Sequence, residues 1–145
     1  MLYLDDWIVW DFWLAPRLDA GEPFHCYFLQ APRSIPDPEK RHDLARIGHA
    51  TSSNLTDWDY HGEILPLGES GSWDDMTLWT GSVIRHDGTA YLYYTGRTTT
   101  ESGLVQRIGL AISEDLRSWR KIDGNPVLEA ANPWYVAPAP DGMTR

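Results

Sequence analysis

The sequence predicts an all-β chain made of about two four-stranded blades of a β-propeller. Three observations carry that prediction. Residues 46–58, RIGHATSSNLTDW, return sixty-one residues later at 107–119 as RIGLAISEDLRSW, with Arg, Ile, Gly, Ala, Ser, Leu and Trp in the same register. Self-similarity at a fixed spacing marks a repeat architecture, in which each unit buries its faces against its neighbours. Short aromatic and β-branched segments alternate with Gly, Pro, Asp and Asn, as strands alternate with turns. No window sustains the apolar period of a helix. Tandem four-stranded units suggest a propeller. Eight short strands closing as a sandwich or barrel are the competing all-β architecture.

The elements follow in order. Residues 1–66 form the first predicted blade. Its strands are WIVWDFWL at 7–14, FHCYFLQ at 24–30, IGHATS at 47–52 and WDYHGEIL at 58–65. Residues 67–130 form the second, with LWTGSVIR at 78–85, AYLYYT at 90–95, RIGLAIS at 107–113 and WRKID at 119–123. Asp87-Gly88 sits between two of these runs, and Asp-Gly is a preferred pair for a two-residue type I′ hairpin. The third and fourth strands of each unit are joined by SNLTDW or EDLRSW. There an Asn or Asp side chain starts a tight turn, and Leu and Trp cover the neighbouring layer. The tail at 131–145 has no strand pattern and reads as a connection into a third blade. A closed propeller has at least four blades, so the chain reads as a truncated single domain.

Composition narrows the partners. The chain has 145 residues, 42% of them hydrophobic and 23% charged, enough for a sizeable core. A net charge of −9 with no basic patch argues against nucleic acid, because phosphate neutralisation requires clustered cations. Eight Trp and seven Tyr exceed what a small core uses, which suits packing between β-layers and the lining of a sugar-binding cleft. Cys26, the one cysteine, reads as a small buried hydrophobe. The N-terminal run MLYLDDWIVWDFW carries Asp where a secretory signal carries positive charge, and no apolar run approaches a membrane span. A cytoplasmic protein with no membrane partner is expected. His25, His42, His49, His61 and His86 lack ligand spacing, so neither a metal nor another cofactor is expected. The sequence gives no reading of oligomeric state.

Asp11 is the most unusual polar residue. A carboxylate between Trp10 and Phe12 in an apolar strand is costly to bury without partners. Two readings stay open on the pattern alone: a structural Asp at a bulge, or an active-site carboxylate on an innermost strand. Asp74 and Asp75, in SWDD, read as turn chemistry before a strand, with Asp75 making one rim contact to substrate.

Four segments together resemble known families. VWDFW at 9–13 is similar to the Trp-Asp-x-Trp motif of the family-68 levansucrases. IGHATSSNLTDW at 47–58 resembles the Gly-His-Ala-x-Ser-x-Asp-Leu-x-x-Trp segment of family-32 invertases and fructanases. SWDD followed by WTGSVIRHDGTAYLYYTG at 72–96, and VQRIGLAISEDLRSWRKIDGNPVL at 105–128, resemble further blocks of the same family in the same order.

That resemblance implies a five-bladed propeller and a retaining glycoside hydrolase or fructosyltransferase acting on β-fructofuranosides such as sucrose and fructans. It implies Asp11 as the nucleophile, Trp10 and Trp79 lining the sugar subsite, and Thr80, in the place of the family's Ser, beside the nucleophile. The family's other two carboxylates have no counterpart, since the sequence holds no Arg-Asp-Pro. The chain alone is therefore expected to be inactive. Trp10-Asp11-Phe12-Trp13 stands where family 32 carries Asn-Asp-Pro-Asn-Gly, which moves this chain toward family 68 and leaves room for an arabinan-type furanosidase like family 43. A non-catalytic carbohydrate-binding propeller is a further alternative, as is a β-domain whose aromatics form a protein interface.

Overall fold

The computed structural model describes residues 2–130. Strands β1 (Trp7–Leu14), β2 (Phe24–Pro32), β3 (Arg46–Ser52) and β4 (Asp59–Glu63) pair antiparallel in sequence order as sheet 1. Strands β5 (Thr77–His86), β6 (Thr89–Arg97), β7 (Arg107–Ser113) and β8 (Arg120–Lys121) repeat the same meander as sheet 2. A ninth strand, β9 (Leu128–Glu129), adds a short pairing to β7. The expected all-β blade pair is the observed architecture. The connection anticipated at 131–145 lies outside the described residues.

Three small elements were not anticipated, each too short to carry an apolar period. They are β9 and two 3-10 turns, Pro38–Asp43 and Thr99–Glu101. Asp37 caps the first by accepting from Glu39 N, and Pro38 supplies the fixed φ of a first turn. Thr98 caps the second by accepting from Thr100 N.

Local chemistry explains the turns. Asp87 and Gly88 have φ of 49° and 78°, the two positive values of a type I′ hairpin. The two repeated turns share one pair of side-chain-to-amide bonds. In the first, Asn54 Oδ1 accepts from Thr56 N and Asp57 N, both at 2.9 Å. In the second, Asp115 Oδ1 accepts from Arg117 N at 2.8 Å and Ser118 N at 2.7 Å. Leu55 and Leu116 follow with left-handed φ of 63° and 61°.

The two sheets pack face to face. Tyr27, Leu29 and Ile47 of sheet 1 meet Leu78, Leu92, Tyr94 and Ala111 of sheet 2 in one buried core. Tyr27 crosses the interface to donate its hydroxyl to Leu116 O at 2.7 Å, with the edge of Trp119 against its ring. Arg85 of β5 ties back to Glu22 at 2.8 Å, and Leu78 N donates to Ala45 O at 3.2 Å. These contacts set β1 beside β5 as the adjoining first strands of the two sheets. Trp58 and Trp119 occupy the same place in their sheets, at the end of the repeated turn.

Candidate active site

Both first strands break register at the same point. β1 shifts between Trp10 and Phe12, leaving Asp11 unpaired with φ of 41°. β5 shifts between Trp79 and Gly81, leaving Thr80 unpaired. Bulges re-aim side chains and are over-represented next to active sites. Here they turn two residues that a regular strand would alternate into the core toward each other and toward solvent. Thr80 Oγ1 donates to Asp11 Oδ2 at 3.4 Å, and both side chains are exposed. Gly81 makes the second bulge possible, since a Cβ there would lie 2.3 Å from Tyr93 O.

The same break of phase puts Trp10 and Trp13 on one face of β1, both packed on the inter-sheet core. Trp10 and Trp79 then form the two walls flanking His42. The His42 ring meets Trp10 at 5.7 Å and Trp79 at 6.1 Å, edge-on to both. Trp79 Nε1 donates to His42 O at 2.8 Å, whereas Trp10 Nε1 has no partner among the described residues. The Arg97 guanidinium lies 4.1 Å from the Trp79 ring centre and pairs with Asp43 at 3.5 Å. Burial lowers the pKa of Arg97, and Asp43 opposes that shift.

The structure thus brings together Asp11, Thr80, Trp10 and Trp79. Asp75 is committed elsewhere. Its carboxylate accepts from Gly71 N at 2.8 Å, Thr99 N at 2.7 Å and Thr99 Oγ1 at 2.8 Å, joining the loop before β5 to the one after β6. The Thr99 and Gly71 amides hold it down at about 2. Asp74 is buried, paired with Lys121 at 2.6 Å and accepting from Tyr94 at 3.1 Å.

His42 and Arg97 were missed in the sequence. The available signal for His42 was Asp37-Pro38, a cap followed by proline, which announces the turn that carries it. A second histidine cluster lies away from the site. His25 Nδ1 is 3.0 Å from His49 Nε2, and the His49 ring stacks on Tyr27 and lies beside His61. Burial first, then the neighbouring His25, pushes His49 down to about 3. Among the described residues, no group of three or more His, Cys, Asp or Glu side chains is arranged to hold a metal ion.

Comparison with known proteins decides the family. The family pattern described as Glycosyl hydrolases family 32 N-terminal domain matches residues 19–139. The chain belongs to family 32 of the glycosyl hydrolases. It is 39% identical over 87 residues to Beta-fructofuranosidase 1 of Zea mays, a match spanning 56% of this chain and 12% of that protein. It is 30% identical over 103 residues to Sucrose-6-phosphate hydrolase of Pediococcus pentosaceus, spanning 71% of this chain and 19% of that one. Among solved structures, the family-32 beta-fructofuranosidase of Bombyx mori superposes with a TM-score of 0.64 at 27% identity, over 86% of this chain and 25% of that chain. The chain therefore spans a quarter or less of the length of these three relatives. The family-32 match begins past β1, so Trp10 and Asp11 lie outside it and their reading rests on the bulge geometry.

Proposed function

We propose that this chain forms the nucleophile-bearing part of a retaining family-32 hydrolase or fructosyltransferase acting on β-fructofuranosides of the sucrose or fructan kind. One observation carries the reading: paired bulges on adjoining strands set the Asp11 carboxylate against the Thr80 hydroxyl, each next in sequence to a tryptophan, Trp10 or Trp79. Retention requires a carboxylate that attacks the anomeric carbon and a second carboxyl, about 5 Å away, that protonates the leaving oxygen. Asp11 is exposed and its one side-chain partner among the described residues is a neutral hydroxyl, so its lone pairs remain available to a sugar. Thr80 fixes one oxygen and leaves the other to attack. The aromatic walls give a furanose ring apolar faces to rest on, and Asp75 serves at most as a rim contact. Among the described residues Thr80 is the side chain bonded to Asp11, and we expect residues 1–145 alone not to turn over substrate.

The test is Asp11→Asn in any form of the protein that cleaves sucrose. The substitution keeps shape and removes charge and nucleophilicity. We expect kcat to fall by several orders of magnitude with an unchanged melting temperature. Turnover near the parent value in the folded variant refutes the assignment. Sucrose hydrolysis by residues 1–145 alone refutes the need for further carboxylates.

A further inference from the structure

A buried cation braces the Trp79 side of the candidate site. Arg97 ends β6, opposite Thr77, and is 8% exposed. Its guanidinium works in four directions. Nε donates to Gly103 O, Nη1 donates to His42 O at 3.4 Å, and Nη2 pairs with Asp43 at 3.5 Å. The central carbon of the group lies over the Trp79 ring, 4.1 Å from its centre. A guanidinium suits this place because it is planar, rests on aromatic faces and carries its donors in a fixed fork.

The surrounding chain is shaped to admit it. Gly103 has φ of 68°, and a Cβ there would stand 2.3 Å from Nη2 of Arg97. Gly103 N closes its loop on Thr98 O at 2.9 Å, and Asp75 ties Thr99 to the segment before β5. Sheet 1 supplies the other half of the cradle, through His42 and Asp43 of the turn between β2 and β3. The His42 carbonyl is the common point, accepting from Trp79 Nε1 at 2.8 Å as well as from Arg97. Trp79 is thus fixed at its indole nitrogen by the carbonyl that Arg97 also binds, and over its ring by Arg97 itself. Trp10 is the internal control. It holds the same place before its own bulge, yet the guanidinium over it, that of Arg41, is 5.8 Å from the ring centre. Its Nε1 has no partner among the described residues.

We propose that Arg97 is a positioning residue for the site: it holds the Trp79 ring in the orientation that receives the sugar, without itself meeting substrate. The proposal rests on the reading of Trp79 as a wall of the sugar site given above. Arg97 has leverage because it joins two sheets. Its strand and Trp79 belong to sheet 2, while His42 and Asp43 belong to the β2–β3 turn of sheet 1. A ring that meets the sugar equally in the ground state and the transition state governs KM rather than kcat.

Steady-state kinetics on sucrose, in a form of the protein that cleaves it, tests this through a double-mutant cycle. Arg97→Lys keeps the charge and loses the planar fork. It should raise KM about tenfold, with kcat within about twofold of the parent. Trp79→Leu should raise KM at least as far. The double variant should match Trp79→Leu alone, because Arg97 acts through that ring. A merely structural role behaves otherwise: a destabilised protein loses active molecules, which lowers apparent kcat and leaves KM in place. An unchanged KM in Arg97→Lys, or single effects that add in the double variant, overturns the proposal. Should Arg97→Lys fail to melt cooperatively, Asp43→Asn replaces it, removing the charge that orients Nη2 at a partly exposed position. That variant should raise KM about threefold, and an unchanged KM there overturns the proposal equally. The underlying reading fails separately. Trp79→Leu with the parent KM overturns the wall and the proposal with it, whereas additivity overturns the role of Arg97 alone.

Discussion

Asp74 and Lys121 meet at 2.6 Å across 47 residues of sequence, with Asp74 only 2% exposed and Tyr94 donating to the same oxygen. The next residue, Asp75, spends its oxygens on backbone amides, and Asp11 faces a single hydroxyl. Three carboxylates of one chemistry thus hold a buried charge, brace two loops, or lie exposed beside a hydroxyl. Removing one partner of a buried pair leaves the other uncompensated, so Asp74→Ala should cost about 3 kcal/mol in urea unfolding; an unchanged midpoint contradicts this. Asp11 was legible because a charge inside an apolar run demands an explanation. The contrast between Asp74 and Asp75 was not, because nothing near them in the chain names Lys121 or Thr99. His42 and Arg97 escaped for the same reason: their partners, the Trp10 and Trp79 rings, are assembled by sheet packing.

The strand–turn–strand element repeated at 46–63 and 107–121 was the most legible feature, since seven matched residues fix both the turn and the register. Its two copies make an internal control. Asp115 and Asn54 accept equivalent amide hydrogens, but Leu116 sits under Tyr27 while Leu55 stands open. Loosening the second turn therefore disturbs the inter-sheet contact as well as itself. Asp115→Ala should cost about 2 kcal/mol and Asn54→Ala about half of that, read as the difference in urea midpoints. Equal costs would show that the turn is stabilised without reference to the facing sheet. The bulges were legible only as a misplaced polar residue. No residue type before Asp11 or Thr80 announces a shift in pairing, and Gly81 alone, with no room for a Cβ beneath Tyr93 O, marks the second.

At the scale of the molecule, the His25–His49–His61 row lies on the face of sheet 1 that meets sheet 2. Burial pushes all three imidazoles down, His49 furthest, to about 3. The groups that face them are each other, Tyr27, Thr51, Arg117, Asp115, Glu22 beside His25 and Asp59 beside His61, the two last carboxylates opposing the shift. The unfolded chain binds protons near pH 6.5 where the folded chain does not, so stability is complete above about 6.5 and falls as pH drops toward 3. His49 alone should remove about 2 kcal/mol between pH 7.5 and 5. Urea unfolding at those two values checks this, and a midpoint that holds or rises at pH 5 refutes it. The two-sheet architecture was legible from the repeat. Which faces would meet was not, because each sheet carries apolar residues on both sides, and only the assembled packing selects the pair.

Asp11 belongs to one sheet and Thr80 to the other. The aperture between them is consequently gauged by the thickness of what lies between the sheets, above all Tyr27, Leu78, Leu92 and Tyr94. A methyl group gained or lost in that layer moves a carboxylate relative to a hydroxyl without touching either. The width of that aperture is therefore set in part by core side chains that never line it.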